Sequence, residues 1–129
     1  MSSTRQTYVA VVDDDESLCR SLGRLLRAAG IQPVTYPSAE AFLADTKRPR
    51  FDCLVFDIQL DGMSGIELHR QLNASGSTIP VIYITAYDEP ATREEAQAAG
   101  CAAYFRKTAP GEDVLQAIRR AANLKEDRT

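Results

Sequence analysis

Short apolar runs alternate with amphipathic helical patterns along the chain, and this alternation constrains the fold more than any other feature. The apolar runs predict strands at residues 8–12, 31–36, 51–57, 80–85 and 101–105. The helical patterns follow them at residues 16–29, just after 38, and at about 64–73, 91–99 and 111–123. Without a repeat or a linker, such a series of strand–helix units predicts one α/β domain. Because these crossovers are right-handed, we expect a parallel sheet with helices on both faces.

Individual residues support the predicted boundaries. Gly30 follows the first helical stripe, at the position where a glycine commonly ends a helix. Ser38 precedes the second helical pattern and is a typical N-cap residue. Residues 81–84 are continuously apolar or aromatic, which is typical of a strand covered on both faces. The helix at 91–99 offers only alanines for burial, so we expect it to be loosely held and to bury little beyond Ala91, Ala96 and Ala99.

Composition excludes several classes of protein. The 129 residues suffice for one domain with a real core but not for two ordinary ones. A net charge of −3 with scattered basic residues gives no reason to expect nucleic acid binding by this domain. No apolar stretch reaches the roughly 20 residues of a membrane-spanning helix, and the N-terminus lacks a signal-peptide core. We therefore expect a cytoplasmic globular protein that contacts no membrane.

Cysteine and histidine usage argues against a transition-metal site or a catalytic triad. Cys19, Cys53 and Cys101 are odd in number, widely spaced and set in apolar segments, so we interpret them as reduced core thiols. His69 is the only histidine, and both a zinc site with a histidine ligand and a serine-histidine-aspartate triad would depend on it. Because its sequence neighbours are polar, we expect His69 to lie on the surface.

Polar side chains stand at the ends of four predicted strands. Asp13 and Asp14 follow the first, Asp57 ends the third, Thr85 ends the fourth, and Lys107 lies just past the fifth. In an open parallel sheet, ligands bind in the crevice beyond the carboxyl ends of the strands, so we expect these side chains to meet there. Carboxylates resist burial and repel one another, which indicates a shared cation.

The residue types at these strand ends suit phosphoryl transfer to a carboxylate. Clustered carboxylates are the ligands that Mg²⁺ prefers, and the ion offsets repulsion between a phosphoryl group and the Asp57 nucleophile. Lys107 supplies a positive charge for phosphoryl oxygens, and Thr85 supplies a hydroxyl donor. Residues 13–16 could instead be only a capped helix start with Asp15 as N-cap, and Asp57 could merely begin a turn. The coincidence of all these residues at strand ends favours the site.

The sequence resembles the receiver domains of two-component response regulators from Tyr8 to about Leu124. The resemblance rests on VVDD at 11–14, LVFD at 54–57, MSGIEL at 63–68, IPVIYITA at 79–86, AG at 99–100 and YFRK at 104–107. It implies a flavodoxin-like fold with sheet order 2-1-3-4-5, an N-terminal extension (1–7), a receiver domain (8–124) and a tail (125–129). Residues 38–43 resemble the subgroup often joined to helix-turn-helix output domains.

The resemblance also implies roles for single residues. Asp57 matches the aspartate that takes a phosphoryl group from the phosphohistidine of a sensor histidine kinase or a phosphotransfer protein. Asp14 matches a direct Mg²⁺ ligand, Asp13 an acid that holds the ion through water, and the carbonyl of Gln59 the backbone ligand. The family catalyses only its own phosphorylation and dephosphorylation, so we do not count the chain as an enzyme acting on other substrates.

A second set of matches concerns the conformational response. Lys107 and Thr85 match the pair that contacts the phosphate, and Tyr104 matches the aromatic residue that turns inward when Thr85 moves. The resemblance therefore implies a remodelled surface made by the fourth helix, fifth strand and fifth helix. An output domain or a dimer partner would bind there.

The chain departs from the family pattern in two loops. The proline usual after the lysine is Thr108 here, and the hydrophobic residue expected next is Ala109. A non-proline cis peptide costs roughly 3 kcal/mol, so we expect a trans bond and a displaced or looser Lys107 loop. Asp61 stands where proline is common and adds an acid near the site, and Gly62 adds freedom to that loop.

Three rival functions fit the residues less well. Haloacid-dehalogenase-type phosphatases also use a strand-end aspartate, but they need a second acid where this chain has Gln59. A flavodoxin-like electron carrier would place FMN phosphate against residues 13–15, whose carboxylates would repel it. A degenerate receiver that only binds proteins would not need the full set of acids, Thr85 and Lys107. We therefore predict a phosphorylation-dependent switch.

Overall fold

The computed structural model describes residues 6–122, which alternate strictly between strands and helices. The strands within this range are β1 (Tyr8–Val12), β2 (Gln32–Tyr36), β3 (Cys53–Asp57), β4 (Val81–Thr85) and β5 (Ala103–Arg106). The helices are α1 (Glu16–Ala28), α2 (Ala39–Ala44), α3 (Gly65–Ala74), α4 (Pro90–Ala98) and α5 (Gly111–Ala121). The predicted alternation is therefore confirmed. Most of the predicted extension and all of the predicted tail lie outside the described residues and stay predictions.

The five strands form one parallel sheet in the order β2-β1-β3-β4-β5, which confirms the predicted fold class. Val12 is paired with Phe56, and Asp57 with Ile84, so β1, β3 and β4 end at the same edge. β5 joins β4 with Thr85 opposite Arg106. This register places Asp13, Asp57, Thr85 and Lys107 at a common edge.

Alternating residues of the strands face two separate apolar layers, one on each side of the sheet. The layer beneath α1 and α5 contains Val9, Val11, Leu22, Leu26, Val55, Ile82, Ile84, Leu115 and Ile118. The layer beneath α2, α3 and α4 contains Ala10, Val12, Phe42, Leu54, Phe56, Leu68, Tyr83 and Ala96. Every residue of β3 and β4 is buried, as expected of strands covered on both faces.

Local side-chain bonds fix the ends of the helices near the site. Asp15 is the N-cap of α1 and accepts the Leu18 N–H, while Gly30 ends that helix with a positive φ of 82°. α3 begins with a reciprocal capping box, in which Ser64 and Glu67 each bond the other's backbone N–H. These caps hold α1 and α3 firmly at the edge that carries the acids.

The helix α4 is held more weakly than its neighbours. Ala96 is its one buried residue, and its N-cap, Glu89, makes no side-chain capping bond. The prediction of a loosely held helix agrees with this single buried residue. Ala91, which we expected to be buried, is exposed. Pro90 occupies the first turn, where its missing N–H costs nothing.

The expectation that His69 lies on the surface is wrong. His69 is only 3% exposed, and its Nδ1 lies 2.7 Å from the hydroxyl of Tyr83, which is itself fully buried. Arg70 and Gln71 follow it in the sequence and are polar, but on a helix its face is shared with Ile66 and Leu72, three residues away on either side. Burial lowers the pKa of His69 from its ordinary value.

All three cysteines within the described residues are free thiols, Cys53 buried and Cys19 and Cys101 half-buried. Burial, followed by the charges of Asp13 and Asp15, raises the pKa of Cys19 to about 11. Burial raises the pKa of Cys53 to about 12. Within the described range, no helix is both long enough and apolar enough to cross a membrane.

Candidate functional site

Three carboxylates meet at the carboxyl edge of the sheet, as the strand-end pattern predicts. Asp13 and Asp14 follow β1, Asp57 is the last residue of β3, and one oxygen from each lies within 4.8 Å of the others. Asp13 is 1% exposed and Asp57 is 2% exposed, whereas Asp14 is open to solvent. We call Asp13, Asp14 and Asp57 the acid cluster. Its geometry follows from the shared register of β1 and β3.

The ammonium of Lys107 reaches into the acid cluster. Its Nζ lies 3.1 Å from Asp57 Oδ2 and 3.1 Å from both carboxylate oxygens of Asp13. Its backbone N–H donates to the carbonyl of Thr85, and no peptide bond within residues 6–122 is cis. The expected trans bond before Thr108 is therefore present, and the expectation of a displaced or looser Lys107 loop stays a prediction. Attraction to two buried carboxylates holds this side chain in the site without the proline.

The site is electrostatically unbalanced, because one ammonium faces several carboxylates. Burial, followed by repulsion from Asp13, raises the pKa of Asp57 to about 6, although Lys107 opposes the shift. Burial acts to lower the pKa of Lys107, but its bonds to Asp13 and Asp57 outweigh that effect and raise the pKa above its usual range. The cluster thus carries excess negative charge in a poorly solvated place, and a further cation would stabilise it.

The donor set fits a hard divalent cation. Asp13 Oδ1 accepts the N–H of Asp15, but the buried Asp13 Oδ2 has no hydrogen bond among the described residues, although Lys107 is adjacent. A buried carboxylate oxygen without a hydrogen bond is costly unless an ion completes its contacts. The ligand atoms on offer are all oxygens, which Mg²⁺ and similar cations prefer.

The loop after β3 bends back over Asp57. The N–H of Gln59 donates to Asp57 Oδ1 at 3.1 Å, and the N–H of Gly65 donates to the carbonyl of Ile58. A Cβ built at Gly65 would lie 2.3 Å from the backbone oxygen of Asp57, so only glycine fits there. This positioning role of Gly65 was not predicted from the sequence. The glycine after Ser64, at the start of a helix that follows the acid, was the available signal.

Thr85 lies at the same edge, but its hydroxyl is engaged in its own loop. Its Oγ1 donates to the carbonyl of Tyr87 at 3.0 Å and accepts the N–H of Tyr87 at 3.1 Å. Thr85 itself is fully buried, while Tyr87 is 60% exposed. The predicted contact of Thr85 with a phosphate stays a prediction.

Tyr104 on β5 is half-buried beside this loop. The guanidinium of Arg93 lies over its ring at 4.7 Å, and its buried hydroxyl has no hydrogen bond among the described residues. Burial, followed by the charge of Asp88, raises the pKa of Tyr104. Tyr104 was predicted from the sequence, but Asp88 and Arg93 were not, because no sequence motif marks their pairing.

Comparisons with known proteins point in one direction. The family model described as "Response regulator receiver domain" matches residues 9–119. The chain is 34% identical over 122 residues to the response regulator protein TodT of Pseudomonas putida, covering 95% of this chain and 54% of that protein. The chain thus spans about half the length of the curated relatives it matches.

Solved structures agree with the sequence relatives. The structure titled FIXJ-N superposes with a TM-score of 0.83 at 33% identity, covering 97% of this chain and all of that one. A response regulator receiver protein from Burkholderia phymatum gives a TM-score of 0.80 at 40% identity, covering 93% of this chain and 98% of that one. Fold and sequence are therefore matched over the same region.

Proposed function

Because this chain belongs to the receiver domains of two-component response regulators, we propose that its Asp57 accepts a phosphoryl group in a Mg²⁺-dependent reaction. The observation that supports this most is the contact at 3.1 Å between Lys107 Nζ and the Asp57 carboxylate, inside a cluster of three acids. A buried carboxylate at the end of a strand, with an ammonium beside it, suits a nucleophile better than a residue that only begins a surface turn.

The proposed reaction is a displacement at phosphorus. An oxygen of ionised Asp57 attacks the phosphoryl group of a phosphohistidine, a P–O bond forms, and the P–N bond breaks with its electron pair going to the imidazole. The raised pKa of Asp57, about 6, leaves the carboxylate ionised at pH 7.5 and makes it more basic than a surface aspartate. The product is an acyl phosphate on Asp57.

Other residues would hold the ion and the phosphoryl oxygens. Asp14 and Asp57 would ligate Mg²⁺ directly, Asp13 would hold it through water, and the carbonyl of Gln59 would complete the protein ligands. When bound, Mg²⁺ supplies positive charge that offsets repulsion at the phosphoryl group. Lys107 would exchange part of its contact with Asp13 and Asp57 for the new phosphoryl oxygens.

The response would pass through Thr85 and Tyr104. The hydroxyl of Thr85 would leave the carbonyl of Tyr87 to donate to the phosphoryl group, and Tyr104 would turn further inward. Both residues border α4, the least buried of the helices near the site, so the surface made by α4, β5 and α5 would change. A partner or output domain would bind that surface.

The proposed partners follow the family. A sensor histidine kinase or a phosphotransfer protein would supply the phosphoryl group in the cytoplasm, and an output domain or a second copy would read the changed surface. This domain would contact neither nucleic acid nor membrane, and it would catalyse only its own phosphorylation and dephosphorylation.

Acetyl phosphate with Mg²⁺ tests the acceptor directly. Intact-mass spectrometry should show one phosphoryl adduct that hydroxylamine removes, as expected of an acyl phosphate. Asp57→Asn should show none, whereas Asp61→Asn, which removes an exposed acid from the same loop, should keep it. An adduct of unchanged size and yield in Asp57→Asn would contradict the proposal.

A further inference from the structure

An ionic network ties the loop between β4 and α4 to both of its neighbours. The carboxylate of Asp88 accepts hydrogen bonds from Nε and Nη2 of Arg93 at 3.0–3.2 Å and from Nε of Arg106 at 3.0 Å. Asp88 is in the loop, Arg93 is in α4 and Arg106 is the last residue of β5. One carboxylate therefore joins three segments that the sheet alone does not fix together.

Each member of the network is adjacent to a residue of the proposed switch. Asp88 follows Tyr87, whose carbonyl and N–H are both hydrogen-bonded to the hydroxyl of Thr85. Arg93 covers the ring of Tyr104, and Arg106 precedes Lys107. The network thus holds the loop arrangement in which the single hydroxyl proton of Thr85 is already donated.

We propose that Asp88, Arg93 and Arg106 form a latch that stabilises the unphosphorylated arrangement of the β4–α4 loop and opposes the switch. This inference rests on the proposed function, because it concerns the regulation of the same site. For Thr85 to donate to a phosphoryl oxygen, its hydroxyl must break the hydrogen bond to the carbonyl of Tyr87, and the loop that carries Tyr87 also carries Asp88. A latch that breaks more easily lowers the cost of that movement.

Two variants with opposite charge changes test the latch. We expect Asp88→Asn and Arg106→Gln each to bind beryllofluoride, a phosphoryl mimic, with Mg²⁺ about two- to fivefold more tightly than wild type, the effect of losing partly exposed ion pairs. A simple long-range charge effect on this anionic ligand would instead tighten binding in Asp88→Asn and weaken it in Arg106→Gln. Tighter binding of the mimic by both variants therefore supports the latch and excludes the simple charge effect.

Glu89→Gln is the matched control. It removes the same charge as Asp88→Asn one residue away, from a side chain that makes no capping bond. It should leave the mimic affinity within about twofold of wild type. In 1 M salt the differences between the latch variants and wild type should shrink, because screening weakens exposed ion pairs. Opposite changes in the two latch variants, or no change in either, would overturn the proposal.

Hydrogen exchange without any ligand separates the latch from the proposed function. Amides of residues 87–93 should exchange several-fold faster in both latch variants than in wild type or Glu89→Gln. Equal exchange in all four proteins would refute the latch even if the mimic binds. If wild type fails to bind the mimic, the proposed function fails, and the exchange comparison still decides whether the network holds the loop.

Discussion

The acid cluster and the latch are both held by ionic contacts, but the secondary-structure elements that carry them differ in burial. Asp13 and Asp57 extend from strands buried on both faces, and Lys107 is only 19% exposed. The latch joins a loop to a helix with one buried residue, and its guanidinium side chains are 48% and 66% exposed. The same pairing of carboxylate and cation is therefore rigid in one place and open to solvent in the other.

This difference separates the residues of the proposed phosphoryl transfer from those of the proposed conformational change. Burial raises the pKa of Asp57, whose carboxylate extends from a strand covered on both faces and contacts Lys107. Water can replace the ion pairs of the latch at low cost in free energy, because each exposed ion pair contributes little to stability. A receiver domain needs both properties, a fixed nucleophile and a neighbouring segment that can be displaced.

The largest expected contrast comes from two glycine substitutions. Gly65→Ala should lower the free energy of unfolding by about 3 kcal/mol or more, because its Cβ would overlap the backbone of Asp57 in the rigid region. Gly100→Ala, at a positive φ of 90° beyond α4 with no atom near the new Cβ, should cost only about 1 kcal/mol. Urea unfolding of both variants measures this. Equal costs would remove the distinction between the two regions.

Metal binding should depend on the acid cluster and not on nearby acids. Asp14→Ala should weaken Mg²⁺ binding at least about tenfold, because it removes an expected direct ligand. Asp61→Ala, an exposed acid in the loop after β3, serves as the control and should bind nearly as well as wild type. Calorimetric titration measures both. Equal affinity of wild type and Asp14→Ala would contradict the assignment of the ligands.

The buried pair of His69 and Tyr83 should make the free energy of unfolding sensitive to acid. The pKa of His69 is lowered in the folded state, so its contribution is intact above its unfolded value near 6.5 and is lost as pH falls below that. Between pH 7.5 and 5, wild type should therefore lose more of its free energy of unfolding than His69→Gln, whose side chain does not titrate.

Both proteins in that comparison retain Asp57, whose raised pKa acts in the opposite direction, so its contribution cancels in the difference. Its stabilisation is present at low pH and is lost as pH rises through about 6. Urea unfolding in EDTA at each pH measures the comparison. Parallel pH profiles for the two proteins would show that His69 does not carry the effect.

The smallest expected effect concerns the lifetime of the acyl phosphate. Tyr87 and Gln59 lie two residues beyond Thr85 and Asp57, and a bulky side chain there should obstruct in-line attack by water. Tyr87→Ala should lose phosphate a few-fold faster than wild type, whereas Tyr87→Phe, which keeps the bulk, should not. Loss of the mass adduct over time measures both rates. A slower or unaltered loss in Tyr87→Ala would refute shielding by Tyr87.

Most of the rigid region was predictable from the sequence. The alternation of strands and helices dictates a parallel sheet, and the carboxyl ends of such strands share an edge, so Asp13, Asp57 and Thr85 had to lie close together. The error at His69 has a physical cause, because helical neighbours three residues away decide burial and adjacent residues do not. The Lys107 loop is expected to be displaced or looser for lack of a proline, which stays a prediction, while two carboxylates at 3.1 Å hold the ammonium of Lys107 in the site.

The latch was not predictable in the same way. Asp88 and Arg106 are 18 residues apart, in a loop and at a strand end, and no periodic pattern relates them. Their contact depends on the exact course of a loop, which apolar periodicity does not determine. The exposure of Ala91 escaped prediction for a related reason, because the small alanines of α4 define no single buried stripe.

The thiol of Cys19 has a consequence for the chemistry proposed at the neighbouring strand end. Its Sγ donates to the carbonyl of Asp13 at 3.3 Å, so a nucleophilic atom lies beside the acids. An acyl phosphate is a mixed anhydride, and attack by a nearby thiolate on its carbonyl carbon would form a thioester and release the phosphate. With a pKa of about 11, Cys19 stays protonated at neutral pH and is a poor competitor with water. Burial, together with the charges of Asp13 and Asp15, thereby suppresses this side reaction at the proposed site.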